Sequence, residues 1–261
     1  MKLPVYQIDA FAGRVFAGNP AVVCRLDSWL EDAVLTAIAA EHNISTTAFL
    51  VESGAGFEIR YFAGAGEFAL VGHASLAAAH VILRLLHPEI PRATLRRRNG
   101  LLEVSRLDEE LLAIQLPAAV AEPCAVPAGL EAALRADFVE LRATAAQYFV
   151  IMKDEAAVAA VAPDMGRLME LDREAVIVTA AGNNCAFVSR AFAPKEGLPE
   201  DPVCGSAHLA LVPYWSERLR QKEHLALQLS PRGGELHCAL RGGEVRLAGR
   251  CALYMEGSIH I

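Results

Sequence analysis

Two places in the sequence combine a glycine with polar side chains at the start of an apolar helix. The first is Gly72-His73, which opens the Ala-rich stretch 74–86, and the second is Gly205-Ser206, which opens the stretch 206–219. A helix N-terminus presents unpaired N–H groups and a partial positive charge, and glycine lets a ligand approach the backbone closely. We therefore expect these two helix starts to bind a small carboxylic acid.

Candidate proton carriers lie beside both helix starts. Glu200 and Asp201 precede the second start by a few residues, Cys204 is next to it, and His73 belongs to the first. The dipole of the second helix is expected to lower the pKa of the Cys204 thiol. A carbon acid bound in such a place can lose a proton, because the developing enolate charge meets fixed dipoles.

Each candidate also has a structural interpretation. Asp201, which stands before a proline, could be a turn or capping residue. His73 could bond only to backbone, and Cys204 could be a small buried hydrophobic residue. His208, inside the second helix, is typical of a core histidine whose nitrogens are satisfied. The joint placement of these residues at two related helix starts favours a functional role for the set.

The pattern of apolar residues predicts two lobes of similar plan. We predict an N-terminal lobe over 1–117 with a central helix near 73–87, and a C-terminal lobe over 118–261 with a central helix near 206–219. A helix that is apolar on nearly every face is buried. Strands are predicted at 3–12, 21–24, 47–52, 56–62, 93–98, 101–107, 111–116, 137–141, 146–153, 174–180, 185–192, 225–230, 235–241, 244–250 and 253–260.

The two halves also repeat short sequence patterns in the same order. Segments 48–51 and 61–63 precede the first helix start, and segments 186–189 and 191–193 precede the second. The shared order favours duplication over coincidence in an Ala-rich chain. Duplicated lobes with a cleft between them would let two helix N-termini face one space.

Composition excludes several classes of function. The formal net charge of −7 argues against broad binding to nucleic acid or to anionic membranes. The basic run Arg96-Arg97-Arg98 is interpreted as an exposed strand end. No apolar leader or membrane-length apolar run is found, and six scattered cysteines without a CxxC pair indicate a reducing cytoplasm and no zinc site.

The chain carries a series of short motifs at 6–11, 16–21, 40–45, 48–49, 70–80, 200–208, 213–215, 232–236 and 256–257. With these motifs it resembles the phenazine-biosynthesis PhzF-like isomerases. The resemblance covers nearly the whole sequence in order, and the motif at the second helix start is the most specific part of it.

The resemblance implies a fold, an assembly and a reaction. The fold is an α/β (α+β) arrangement of two pseudo-symmetric lobes, each a curved mixed sheet around a central buried helix, as in diaminopimelate epimerase-like proteins. A homodimer without a cofactor or metal is implied, as is a proton shift between ring carbons of a dihydro-hydroxyanthranilate. Matching positions make His73 and Asp201 acid/base partners. The residues implied to line the substrate site are Asn19, Ser45, Thr46, Gly72, Gly205 and Ser206.

Two departures from the family pattern bear on the chemistry. The family's usual general base is a Glu at the position of Thr46, and a threonine hydroxyl is no base near neutral pH without an activator. Loss of one acid/base group typically lowers a rate by about 10²–10⁴-fold. The family usually has Thr at the position of Cys204, whereas related racemases use two cysteines, of which the other would fall at Val71.

The sequence therefore leaves two main hypotheses. The first is an isomerase or epimerase acting on a small carboxylic acid through Asp201, His73 and, in a one-base reaction, Cys204. The second is a protein that still binds a small carboxylate but has lost turnover. A third and weaker hypothesis is a structural protein without a ligand.

Overall fold

A computed structural model describes residues 1–54, 56–64 and 66–261 of the chain. Its strands are β1 Lys2–Ala10, β2 Asn19–Leu26, β3 Thr47–Ser53, β4 Gly56–Ala63, β5 Gly66–Phe68, β6 Arg92–Arg97, β7 Gly100–Arg106, β8 Leu112–Pro117, β9 Glu122–Pro123, β10 Glu140–Ala143, β11 Gln147–Ile151, β12 Ala175–Ala181, β13 Phe187–Ala193, β14 Leu198–Asp201, β15 Glu223–Gln228, β16 Gly234–Arg241, β17 Glu244–Gly249 and β18 Cys251–His260. Its α-helices are α1 Asp32–His42, α2 Gly72–His80, α3 Leu130–Leu134, α4 Glu155–Ala160, α5 Met165–Met169 and α6 Gly205–Leu219.

The chain forms two compact units. The first consists of Met1–Leu116 and Leu247–Ile261, and the second of Pro117–Arg246. The mixed α/β architecture predicted from the sequence is present in both units, since each combines a mixed sheet with one long central helix.

In the first unit, strands run in the order β18-β1-β2-β3-β4-β6-β7-β8. Helix α2 packs against β1, β2, β3 and β7, so the sheet curves around it. Seven of the nine residues of α2 are buried, and four of those seven are alanines. Small side chains let strands approach the helix from several sides, which is why a helix apolar all round is buried here.

The central helix of the first unit does not end with α2. Residues Val81–Leu86 continue it as a π-helix, and the N–H of His87 donates to the carbonyl of Ile82 at 2.7 Å. The helical segment thus spans 72–86, close to the predicted 73–87. A π-helical turn widens the helix where larger side chains replace alanine.

In the second unit, strands run in the order β9-β10-β11-β12-β13-β15-β16, and α6 packs against β15 and β16. Pro213 lies inside α6 and has no N–H to donate to the carbonyl of Leu209, four residues earlier. That carbonyl instead accepts a hydrogen bond from the N–H of Ala119 at 2.9 Å. The proline therefore frees an acceptor that fastens the segment leading into the unit.

Strand pairing repeats between the units. In the first unit β2 and β3 are parallel, β3 and β4 antiparallel, β4 and β6 parallel, and β6 and β7 antiparallel. In the second unit the same sequence of pairings joins β11, β12, β13, β15 and β16. The order of directions is the same, which agrees with duplication.

One part of the predicted repeat is wrong. Segment 48–51 lies on β3, whose counterpart by pairing is β12, whereas segment 186–189 runs into β13. Segments 61–63 and 191–193 do correspond, because they end β4 and β13. Short patterns of alanine and phenylalanine occur on any buried strand, so the match at 48–51 carried no positional information.

The C-terminal boundary also differs from the prediction. The sequence predicts one lobe over 118–261, but residues 247–261 belong to the first unit. Strand β18 pairs antiparallel with β1, from Cys251 opposite Ala10 to His260 opposite Lys2. An apolar strand indicates its own burial but not which distant strand it joins.

Candidate functional site

The start of α2 brings together three predicted residues. The Nε2 atom of His73 lies 3.1 Å from the Oγ atom of Ser45. The Ser45 hydroxyl also lies 2.8 Å from the carbonyl of Pro20 and 3.2 Å from Oδ1 of Asn19. Because β2 and β3 are parallel and neighbouring, the residues at their N-terminal ends lie side by side, next to the helix start.

The hydrogen bonds of Ser45 determine the tautomer of His73. A hydroxyl has one proton to donate, and the carbonyl of Pro20 is its nearest acceptor. Ser45 then accepts the Nε2–H of His73, which leaves Nδ1 as the lone-pair nitrogen. His73 is only 6% exposed, and burial lowers its pKa to about 3. The imidazole is therefore neutral near pH 7 and is a weak base.

Thr46 is buried next to this cluster. Thr46 directly precedes β3 and is 3% exposed, while its carbonyl accepts the N–H of Val22 at 3.1 Å. Gly72 is the first residue of α2, and no side-chain cap is found at that helix start among the described residues. The structure thus brings Asn19, Ser45 and His73 together at the start of α2, and Thr46 follows Ser45 in the chain.

Asp9 is a neighbour that sequence reasoning missed as a site residue. It is a buried carboxylate on β1, and its Oδ2 accepts the N–H of Phe16 at 2.8 Å. This bond holds the loop that leads into Asn19. A charged residue inside an otherwise buried strand was the available signal.

The start of α6 brings together the predicted residues of the second unit. Asp201 is the last residue of β14, and its Oδ1 accepts the N–H of Val203 at 3.2 Å. Cys204 directly precedes α6, and its Sγ lies 3.3 Å from the Oγ of Ser206. Ser206 also accepts a hydrogen bond from Nε2 of Gln147 at 3.2 Å.

The expected reactive thiol is not found at Cys204. Burial raises the pKa of this thiol far above its ordinary value, and the nearby charge of Asp201 raises it further. Cys204 is 8% exposed, so loss of hydration outweighs the helix dipole that the sequence suggested would lower the pKa. The thiol stays protonated at neutral pH, which is the opposite of the expectation.

Two further polar residues near α6 have structural partners. Glu200 forms a bidentate ion pair with Arg190, at 2.8 and 2.9 Å, and both side chains are largely buried. Nδ1 of His208 lies 2.8 Å from the carbonyl of Cys204, four residues earlier. Ser75 makes the equivalent bond in α2, to the carbonyl of Val71 at 2.8 Å. The first turns of α2 and α6 therefore contain the same hydrogen bond, from a side chain to the carbonyl four residues earlier.

Neither a metal-binding cluster nor a membrane-spanning helix is found among the described residues. Within residues 1–54, 56–64 and 66–261, no group of three or more His, Cys, Asp or Glu side chains lies close enough to hold a metal ion. Over the same residues, no helix has both the length and the apolar character needed to cross a membrane.

Comparison with known proteins finds relatives that match the chain over its whole length. A protein of Pseudomonas aeruginosa named as an uncharacterized isomerase is 44% identical over 261 residues, which is 100% of both chains. A crystal structure of a phenazine biosynthesis protein of the PhzF family from Enterococcus faecalis is 40% identical, with a TM-score of 0.96 and 100% of both chains covered.

A more distant solved structure bears on the fold alone. A hydroxyproline epimerase from Agrobacterium vitis is 12% identical with a TM-score of 0.63, and 99% of this chain and 92% of that chain are covered. The predicted epimerase-like fold is thereby confirmed. The family model for phenazine biosynthesis-like proteins, PhzC-PhzF, matches residues 8–257. The chain belongs to this phenazine biosynthesis-like family.

Proposed function

We propose that the protein is a cofactor-independent isomerase that moves a proton within a small carboxylic acid. The observation that carries the proposal is the Asp201 carboxylate, held in a turn directly ahead of the N-terminus of α6. Relatives that are named isomerases support the reaction class. The substrate and the residue roles are our inference.

The reaction would proceed through one enolate. The substrate carboxylate docks on the N–H groups of Gly205 and Ser206, where the helix dipole favours negative charge. Asp201 takes a proton from a carbon activated by that carboxylate, and the electron pair of the broken C–H bond forms the enolate. The carboxyl proton of Asp201 exchanges with solvent, and Asp201 then gives a proton to another carbon of the conjugated system, so that atoms and charge balance.

His73 takes a different part in this proposal from the one that the sequence predicted. Its neutral imidazole, with a pKa of about 3, is a poor general base near pH 7. With Ser45 and Asn19, it instead offers a hydrogen-bonding group at the start of α2. Proton transfer is therefore assigned to Asp201, and Cys204 is left without an acid/base role.

A second candidate function is a small-carboxylate-binding protein without turnover. The specific observations that favour it are the hydroxyl of Thr46 where the family has a base, and the protonated thiol of Cys204. In this alternative the helix starts still bind the carboxylate. Thr46→Glu would then create activity on the dihydro-hydroxyanthranilate, and an inert variant would argue against a simply lapsed isomerase.

Solvent deuterium uptake distinguishes the two functions. The protein is incubated in D₂O with small cyclic and amino carboxylic acids, including the dihydro-hydroxyanthranilate, and label on carbon is measured by mass spectrometry. We expect uptake that Asp201→Asn abolishes and that Asp137→Asn, a change at an exposed carboxylate of the same unit, leaves intact. If the acids bind to the protein but take up no deuterium on carbon, the proposed isomerase activity is wrong.

We also propose a homodimer that pairs through β18. Residues 253–258 of this strand are exposed on both faces, although the strand pairs with β1 along its length. Leu253, Tyr254 and Met255 are exposed apolar side chains, and Phe16 stacks edge-on against Tyr254. A strand edge is self-complementary around a two-fold axis, so a second copy is the partner that covers it.

Light scattering on the full chain tests this assembly. We expect a mass twice that of the chain, and we expect Tyr254→Lys to reduce it to that of a monomer without unfolding the protein. Pairing through β18 would be contradicted by a monomeric wild type, or by a dimer whose mass does not change in Tyr254→Lys.

A further inference from the structure

The turn of residues 201–204 is held by side chains from another part of the chain. Gln228, the last residue of β15, and Ser230, two residues on, both reach this turn. Ser230 donates to the carbonyl of Pro202 at 2.8 Å. The residues in contact are about 25 positions apart in the sequence, and their hydrogen bonds hold the β15–β16 hairpin against the start of α6.

Gln228 contacts both ends of the turn. Its Nε2 donates to the carbonyl of Asp201 at 2.6 Å, and its Oε1 accepts the N–H of Cys204 at 2.9 Å. The residue is 1% exposed, so water does not compete for these bonds. One planar amide thereby fixes the distance between the two backbone groups.

The bond to Cys204 also determines which N–H groups a ligand can use. The N–H of Cys204 is occupied by Gln228, and no side-chain cap is found at the N-terminus of α6 among the described residues. The N–H groups of Gly205 and Ser206 are therefore the ones presented at this helix start. Gln228 thus affects both the direction of the Asp201 side chain and the place of the bound carboxylate.

Close packing supports the same hairpin. Gly234, at the start of β16, pairs with Gln228, and a Cβ atom on it would lie 2.2 Å from Cγ2 of Val203. A side chain at 234 would push the turn away from the hairpin. The turn is therefore located by contacts as well as by hydrogen bonds.

We propose that Gln228 is a positioning residue of the Asp201 site: its amide sets the backbone of Asp201 and of Cys204, and through them the carboxylate and the N–H groups that meet the substrate. The assignment rests on the proposed isomerase function. The amide supplies both bonds, whereas an ionised Glu can accept but not donate and Met can do neither. A displacement of about 1 Å at a reacting group can lower a rate by about 10²-fold.

Two substitutions separate the two bonds. Gln228→Met removes both, and we expect kcat for deuterium uptake to fall by about 10²-fold with a smaller change in KM. Gln228→Glu keeps the acceptor for Cys204 but brings a negative charge beside Asp201. That charge should raise the pKa of the base, so that the acid limb of the kcat/KM profile moves to higher pH. Gln221→Met, at an exposed glutamine, is the matched control.

Backbone amide exchange provides a measurement that needs no turnover. The N–H of Cys204 should exchange faster in Gln228→Met than in the wild type or in Gln228→Glu. A positioning role is overturned if this amide is unaffected, or if activity falls only in proportion to the unfolded fraction while the pH profile stays unmoved. If the wild type shows no deuterium uptake, the isomerase proposal fails, and amide exchange still decides whether Gln228 holds the turn.

Discussion

Protonation of His208 should make the fold sensitive to mild acid. The ring is fully buried, its Nδ1 bonds to the carbonyl of Cys204, and its Nε2 has no partner among the described residues. Burial lowers the pKa of His208 to about 4, since a charged ring would be poorly hydrated there. The unfolded chain, with an ordinary histidine pKa near 6.5, binds the proton first.

The sign and size of the effect follow from this difference. Because the folded pKa is lowered, the contribution to stability is complete above pH 6.5 and is lost as the pH falls from 6.5 towards 4. At pH 5 the unfolded state gains about 2 kcal/mol from protonating one such histidine. His208→Asn retains an N–H that can reach the carbonyl of Cys204 and cannot titrate.

Urea unfolding at pH 8 and pH 5 measures the difference. We expect the wild type to lose about 2 kcal/mol more than His208→Asn between these two pH values. Ile177→Val, at a fully buried core position, is a control that lowers stability without changing a titrating group. If the wild type and His208→Asn lose equal stability between pH 8 and pH 5, the neutral buried ring is refuted.

Two other outcomes follow from the geometry. Burial raises the pKa of Cys204, so iodoacetamide at pH 8 should alkylate this thiol in the folded protein more slowly than it alkylates free cysteine. Rapid alkylation would contradict the protonated state of the thiol. Because the thiol has no acid/base role in the proposal, Cys204→Ser should retain deuterium uptake. Gly18 has a φ of +64°, and a Cβ atom there would lie 2.2 Å from the carbonyl oxygen of Ala10. Gly18→Ala should therefore cost more than about 1 kcal/mol in thermal unfolding, and an unchanged midpoint would exclude this strain.

Local patterns predicted the two central helices and most of the strands, but not the short strands β5, β9 and β14. Helix α2 was predicted as buried because its residues are apolar on nearly every face, and its alanines let several strands contact it. The partner of β18 could not be predicted in the same way. Its pairing with β1 joins the two ends of the chain, and no local pattern specifies such a partner.

The environment of Cys204 shows the same limit at the site. Its position before a helix suggested an activated thiol, which is a local argument. The raised pKa comes from burial, to which distant segments of the chain contribute, and Gln228 lies 24 residues further along the sequence. The motif therefore predicted where the residue lies, whereas long-range packing decides its protonation state.

The two helix starts have the same hydrogen bond from a side chain to the backbone but differ in charge. Ser75 and His208 each bond to the carbonyl four residues earlier, so the two entrances are built alike. The first entrance presents a neutral imidazole beside Ser45, and it is there that Thr46 stands in place of the family's base. The second entrance carries the carboxylate of Asp201. With the base missing from the first entrance, a reaction in which one carboxylate both removes and supplies a proton needs fewer groups than a two-base reaction, and this is why we propose Asp201 for it.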